Sequence, residues 1–251
     1  MIVSLTGPAF DNMDANLGYG QAAFNIFNSL KRLGVNVDFN LKKADIEICF
    51  SHPKEHIFFD PTSYKIVYSA WESTDLHPDW KRNMMQGDEI WATSDWVADV
   101  WKNLFPNKEI FTYKHGINQE WKPRLRKESH KPFTFLHVGE PYARKDGQLV
   151  VDSFIELYGN NPDYRLVLKA NGINTIKVKD PRHGFLSSPA ACYENIVMID
   201  NFLTNEQMIG LHELCDVFVY PSWGEGWGLQ PMQALATGMP VISTDGWADY
   251  Y

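Results

Sequence analysis

The sequence predicts an α/β protein built from two halves, each a parallel sheet flanked by helices. Three observations predict it. Short apolar runs alternate with amphipathic segments along the whole chain. One polar stretch, Gln119–Pro132, interrupts that alternation and carries two prolines. Near the end, Tyr220–Ile242 runs as an apolar strand, a Gly-rich turn holding one carboxylate, a helix, a Gly stop and a second strand. Strands that alternate with helices imply parallel βαβ units.

In the first half the apolar runs Ile2–Leu5, Val35–Phe39, Ile46–Phe50, Lys65–Ala70, Glu89–Ala92 and Ile110–Tyr113 predict strands. Between the first two, Phe24, Phe27, Leu30 and Leu33 recur at helical spacing, and Gly34 stops the helix. Asp95–Phe105 repeats that pattern with Trp96, Val97, Val100, Trp101 and Leu104. After the polar stretch, Phe133–Val138, Arg165–Lys169, Ile196–Ile199, Val217–Tyr220 and Pro240–Ser243 predict a second strand series. Leu149, Val150, Phe154 and Leu157 mark the helix after its first strand. Thr204 and Gln207 form a capping-box pair that opens the helix after its third. The expected domains are therefore 1–118, a linker at 119–132, and 133–251.

Length and composition narrow the classes. The chain has 251 residues, 44% of them hydrophobic, which suffices for a sizeable core. Its net charge of −8, with no long Lys/Arg cluster, argues against nucleic acid as partner. The sequence holds no apolar run of transmembrane length, so no integral membrane segment is expected. Met1–Phe10 lacks the basic start of a signal peptide and reads as a strand. The three cysteines, Cys49, Cys192 and Cys215, are widely spaced and show no metal-ligand pattern; Cys49 and Cys215 lie in apolar runs. A cytoplasmic location and no metal site are the expectations. Nine Trp suit either a core of large rings or exposed rings that stack on ligands, and composition does not separate the two.

The chemistry-bearing motifs sit at predicted strand ends, where open α/β sheets bind ligands. Gly224-Glu225-Gly226-Trp227-Gly228-Leu229 places a carboxylate and backbone N–H groups at a helix start, a favourable place for an anion. A Glu between two glycines in a turn does not serve packing. Gly139-Glu140-Pro141-Tyr142-Ala143-Arg144-Lys145-Asp146-Gly147 follows the first strand of the second half. Its Arg144 and Lys145 suit a diphosphate, although two solvated basic residues are the plainer alternative. Asn16-Leu17-Gly18-Tyr19-Gly20 opens the first helix; glycines there admit close backbone approach, or simply make a turn. It lacks the third glycine of a dinucleotide fingerprint. Glu72 in Trp71-Glu72-Ser73, His52 after the third strand and His115 in His115-Gly116-Ile117-Asn118 are further candidates. Their plainer alternatives are a surface salt bridge for Glu72 and a turn cap for His115. Core packing is the plainer role of Trp71, Trp91 and Trp96.

These motifs together resemble the retaining GT-B glycosyltransferases, family 4 in particular. The resemblance rests on Pro221-Ser222, Glu225-Gly226-Trp227-Gly228-Leu229, the small-residue helix and Gly238-Met239-Pro240-Val241-Ile242. It also rests on Trp71-Glu72-Ser73, Asp88-Glu89-Ile90-Trp91-Ala92-Thr93-Ser94 and the His115 turn. It implies two Rossmann-like halves facing a cleft, with a nucleotide-diphosphate sugar on the second half and the acceptor on the first. The implied reaction moves a sugar to an acceptor hydroxyl with retention, through a same-face oxocarbenium-like route, without metal or cofactor.

The resemblance carries over residue by residue. Glu225 would orient the donor sugar and stabilise positive charge rather than act as nucleophile. Gly226, Trp227, Gly228 and Leu229 would approach the sugar and phosphate, and Lys145, with Arg144, the diphosphate. Gly18 and Gly20 would lie over the diphosphate and acceptor, and Glu72, His52 and His115 would lie on the acceptor side. The chain departs from the pattern twice: Gln233 stands where a second Glu contacts the ribose, and Glu140 where an Arg is common. It also ends soon after the strand Pro240–Ser243, so the second half is expected to be incomplete. The acceptor is a glycan, a lipid or a small molecule, and oligomerisation stays open. The competing reading is a non-catalytic nucleotide-sugar or glycan-binding homologue, or a fragment of a longer transferase. A sugar-nucleotide epimerase of the same fold has no support of its own in the residues.

Overall fold

The computed structural model describes residues 1–11, 18–125, 131–141, 143–170, 172 and 175–245. Asn16, Leu17, Tyr142, residues 126–130 of the expected linker and the terminal 246–251 lie outside the described residues. Residue contacts divide the chain into two compact units. The first comprises Met1–Asn118 with Gly224–Leu229; the second comprises Gln119–Trp223 with Gln230–Asp245. The Glu225 turn thus groups with the first unit, although it lies late in the sequence.

The first unit holds β1 (Ile2–Thr6), α1 (Pro8–Asp11), α2 (Gly18–Arg32), β2 (Asn36–Phe39), β3 (Ile46–Phe50), β4 (Tyr64–Ser69), α3 (Pro78–Met84), β5 (Glu89–Ala92), α4 (Asp95–Leu104) and β6 (Glu109–Thr112). Its strands form one parallel sheet in the order β2-β1-β3-β4-β5-β6. Ser94 starts α4 by accepting a hydrogen bond from Val97 N at 3.2 Å. The helix then turns Val97, Ala98, Val100 and Trp101 into a core with Val67, Ile90 and Ala92 of the sheet. A carboxylate also organises this unit: Glu47, fully buried on β3, accepts from Phe59 N, Asp60 N and Ser63 Oγ at 2.7, 3.0 and 2.6 Å. Those three donors explain how a charge is accommodated there, and they fix the path of residues 59–63 into β4.

The second unit holds β7 (Phe133–Val138), α5 (Gly147–Tyr158), β8 (Tyr164–Lys169), β9 (Val178–Lys179), β10 (Leu186–Ser187), α6 (Pro189–Cys192), β11 (Ile196–Ile199), α7 (Asn205–Leu214), β12 (Val217–Tyr220), α8 (Leu229–Ala236) from Gln230 onward, and β13 (Val241–Ser243). The order β11-β8-β7-β12-β13 is parallel throughout, while β9 and β10 form a small antiparallel hairpin. Taken in chain order the five strands run 3-2-1-4-5, the doubly wound arrangement, so the order reverses between β7 and β12. α5 packs Val150, Val151 and Phe154 on Leu166, Leu168 and Ile196. The capping box of α7 is formed in both directions, Gln207 N to Thr204 Oγ1 at 3.2 Å and Thr204 N to Gln207 Oε1 at 2.9 Å. This second sheet is the smaller, with five strands against six.

Candidate active site

In the second unit the loops that leave β7 and β12 meet at the point where strand order reverses. The β7 loop ends in a 3₁₀ turn, Ala143–Lys145, directly before α5. Its Lys145 ammonium hydrogen-bonds Tyr220 Oη and lies 5.0 Å from the centre of the Tyr220 ring. The Tyr220 hydroxyl in turn donates to Gln230 Oε1 of α8 at 3.4 Å. Arg144 is tied through its carbonyl, which accepts from Trp223 N at 2.9 Å and Ser222 Oγ at 3.3 Å. A cation, a helix N-terminus and a strand-end turn are thus held together by bonds between β7's loop and β12's.

His137 underlies this turn. Its Nδ1 lies 2.9 Å from Val219 O, which accepts but cannot donate, so Nδ1 carries the proton. Burial, and then the nearby Lys145 charge, hold the ring below the usual histidine range and therefore neutral. Gly139 and Gly147 close over Nε2: a Cβ on either would come to 3.3 and 3.4 Å from it. A side chain at either position would need His137, or Ile176 beside Gly147, to give way by a few tenths of an ångström. At the neighbouring strand end, burial pulls the Lys169 ammonium downward while Glu140 and Asp200 hold it up. Glu140 therefore stands in the field of a lysine. Gln233, on α8, is 5% exposed.

In the first unit the Glu225 turn lies against the carboxyl end of β4. A Cβ on Gly226 would fall 2.6 Å from Trp71 N and 2.7 Å from Ala70 Cβ, so only glycine fits. The Gly226 carbonyl accepts from the buried Thr93 Oγ1 at 2.6 Å. A Cβ on Gly224 would meet Glu72 O at 3.3 Å, which places Glu72 beside the turn. Gly228 has φ of +82°, a conformation that favours glycine. Glu225 itself is 5% exposed, and Trp227 and Leu229 are buried with it.

The remaining candidates fall around that turn. His115 is buried, packs edge-on against Trp227 at 6.5 Å and Phe50 at 5.1 Å, and lies 3.0 Å from Tyr68 Oη. Burial pushes its imidazole down to about 3, so it is neutral over the ordinary pH range. His52 caps the 3₁₀ turn Pro53–Glu55 and meets Trp71 and Trp80 edge-on at 5.4 and 5.0 Å. Burial first, and then Lys54, lower its pKa. Gly18 and Gly20 lie in the first turn of α2. Between them, Tyr19 donates to Ala70 O at 3.0 Å and packs on Phe50. Glu72, His115 and residues 224–228 are therefore gathered in the first unit, and Arg144, Lys145 and Gln233 in the second.

Sequence reasoning missed Thr93, His137, Asp146, Tyr220 and Trp223. Asp146 carries a readable signal, an Asp directly before a helix start. It accepts from Leu149 N through Oδ1 in a left-handed conformation with φ of +51°. The others act through contacts distant in sequence, which no local pattern announces. Among the described residues no cluster of three or more His, Cys, Asp or Glu is placed to hold a metal ion. No described helix is long and apolar enough to cross a membrane.

Two Rossmann-like parallel sheets of this kind define the GT-B glycosyltransferase fold. The chain belongs to the family described as Glycosyl transferases group 1, which matches residues 118–247, more than half of it. It is 27% identical over 197 residues to the lipopolysaccharide core biosynthesis mannosyltransferase LpsB of Rhizobium meliloti (strain 1021), covering 72% of this chain and 52% of that protein. The chain thus spans about half the length of this curated relative. Among solved structures it resembles the lipopolysaccharide outer core galactosyltransferase WaaB, with TM-score 0.62 and 14% identity over 100% of this chain and 82% of the other. It also resembles the pneumococcal O-GlcNAc transferase GtfA in complex with UDP and GlcNAc, with TM-score 0.60 and 18% identity over 92% and 46%.

Proposed function

We propose that the protein is a retaining hexosyltransferase of the family 4 type, moving a sugar from a nucleotide-diphosphate sugar to an acceptor hydroxyl without a metal ion. The observation that carries this reading is Lys145, held by Tyr220 at the strand-order reversal of the second sheet and next to the start of α5. There Lys145 and Arg144 would meet the charge that grows on the departing nucleoside diphosphate, so they stabilise the transition state more than the bound donor. Glu225, with Gly226, Trp227, Gly228 and Leu229, would orient the sugar and stabilise the positive charge at its anomeric carbon. Gln233 would hydrogen-bond the ribose through its neutral amide, with less strength than a carboxylate. Glu72 and His52 would meet the acceptor (a glycan, a lipid headgroup or a small molecule), while His115, neutral and buried, supports Trp227. Gly18 and Gly20, at the start of α2, would bring backbone toward donor and acceptor. No cofactor is needed, and the reaction fits the cytoplasm.

A non-catalytic nucleotide-sugar binder is the second reading, favoured by the amide of Gln233 where the family resemblance expects a carboxylate. Calorimetric titration with UDP, GDP, ADP and their hexoses, with and without magnesium, tests the first. Binding of one nucleotide that is unchanged by magnesium or EDTA is expected, with slow donor hydrolysis. Binding without hydrolysis or transfer supports the second reading. No nucleotide binding by the folded chain overturns both.

A further inference from the structure

Trp223 combines two properties that rarely occur together. It is 77% exposed, yet both its N–H donors are spent on the protein. The indole Nε1–H donates to Asp146 Oδ2 at 2.7 Å, and the backbone N–H donates to Arg144 O at 2.9 Å. Asp146 is anchored as well, because its other oxygen caps α5 at Leu149 N. One carboxylate therefore fixes a helix start and an aromatic ring at once. A ring tied by its polar edge presents its apolar faces to solvent in one orientation, and a partner that stacks on it loses little further side-chain freedom.

We propose that Trp223 is a stacking platform for the apolar C–H face of a pyranose ring, with Asp146 as its positioning residue. A pyranose has one such face and a rim of hydroxyls, and the platform's surroundings offer polar groups for that rim: Arg144, whose carbonyl holds the Trp223 backbone N–H, and Lys145 directly precede Asp146. The identity of the ring as a sugar rests on the transferase reading above; the platform itself rests on the geometry. The ring's source is either the donor's hexose or a sugar of the acceptor, and the chemistry of the contact is the same for both.

The test uses the full chain with ¹⁵N-labelled tryptophan, the Trp223 indole signal being assigned by its loss in W223F. Methyl α-mannopyranoside and methyl α-glucopyranoside are titrated as acceptor-like probes. UDP, GDP and ADP are compared with their hexoses as donor probes. A saturable shift of the Trp223 indole with a methyl pyranoside assigns the platform to the acceptor. A shift with a nucleotide hexose but not with its nucleotide assigns it to the donor. In either case W223A should weaken the half-saturating concentration by about 2- to 12-fold, the range expected for loss of an aromatic contact. In D146N the amide nitrogen can replace the oxygen that accepts from the indole, while the remaining oxygen still caps α5. That variant should keep the fold, release the ring and weaken sugar binding in the same direction. An indole that responds to no pyranose, or responds equally to the nucleotide alone, overturns the proposal. If the wild-type chain binds no nucleotide, the transferase reading fails separately, and the methyl pyranoside titration still decides the platform.

Discussion

The Lys145 ammonium is held on Tyr220, which contributes both a hydroxyl acceptor and the face of its ring. The hydroxyl passes the constraint on to Gln230 of α8. A flexible four-carbon side chain is thereby set in place before any ligand arrives, and ordering it is part of what binding would otherwise cost. Tyr220 is fully buried, so the ring itself belongs to the core and the hydroxyl alone is the adjustable part.

Tyr220→Phe keeps the ring and removes the hydroxyl. We expect nucleoside diphosphate affinity to fall by about 3- to 10-fold and stability by about 1 kcal/mol, the net worth of one hydrogen bond. Lys145→Ala removes the charge and should weaken the same affinity by about 10- to 100-fold. Calorimetry with the preferred nucleotide measures both. Equal affinity in the lysine variant would remove the diphosphate from this turn.

Glu225→Ala should abolish transfer while the chain still folds, as judged by circular dichroism and the unfolding midpoint. The carboxylate lies in a turn whose conformation is set by Gly226, Gly228 and the Thr93 contact, so the turn is expected to form without it. Retained transfer would exclude Glu225 from the chemistry.

Gly226→Ala is the mirror case, harmful to folding for a purely steric reason. Its added methyl group would press on Trp71 N and Ala70 Cβ at the end of β4, where backbone cannot give way cheaply. A loss of roughly 3 kcal/mol or more is expected, at the upper end of overpacking costs. A melting temperature within a degree or two of wild type, at about 1 kcal/mol per several degrees, would show that the turn relaxes freely.

Buried histidines set an acid limit. Burial pushes His56 down to about 4 and His115 down to about 3, against an ordinary value of 6.5. Between those values the unfolded chain binds protons that the folded chain refuses, so stability rises with pH. The folded state should be fully favoured above about pH 6.5 and lose stability steadily down to about pH 4, by roughly 3 kcal/mol for His56. Denaturant unfolding at pH 8, 6 and 5 checks the slope, and His56→Gln should flatten it. A flat profile in the wild-type protein would show that these rings take up protons while folded.

The sheets were legible because their strands are apolar runs of ordinary length, bounded by turn residues. Each of the eleven runs named from sequence lies within a residue of a strand, six in one sheet and five in the other. The hairpin β9–β10 was not legible, since Val178–Lys179 and Leu186–Ser187 are too short to show alternation. α1 and α6, of four residues each, were missed for the same reason. At the site, Lys145 and Glu225 stood out by residue type and neighbouring glycines. The exclusion of any side chain at Gly226 did not, because it is imposed by Ala70 and Trp71, far away along the chain. Likewise the burial of His115 depends on Phe50, Tyr68 and Trp227 converging from three elements.

The assignment of Gly224–Leu229 to the first unit also governs how the polypeptide can be divided. Cutting at the stretch after Asn118 separates the first unit from residues 224–229, which group with it. A segment ending there would leave Thr93 Oγ1 without the Gly226 carbonyl and uncover the Ala70–Trp71 backbone that this glycine shields. A piece ending at Asn118 is therefore expected to unfold more readily than the same residues in the whole chain, and a peptide spanning Gly224–Leu229 should recover part of the difference.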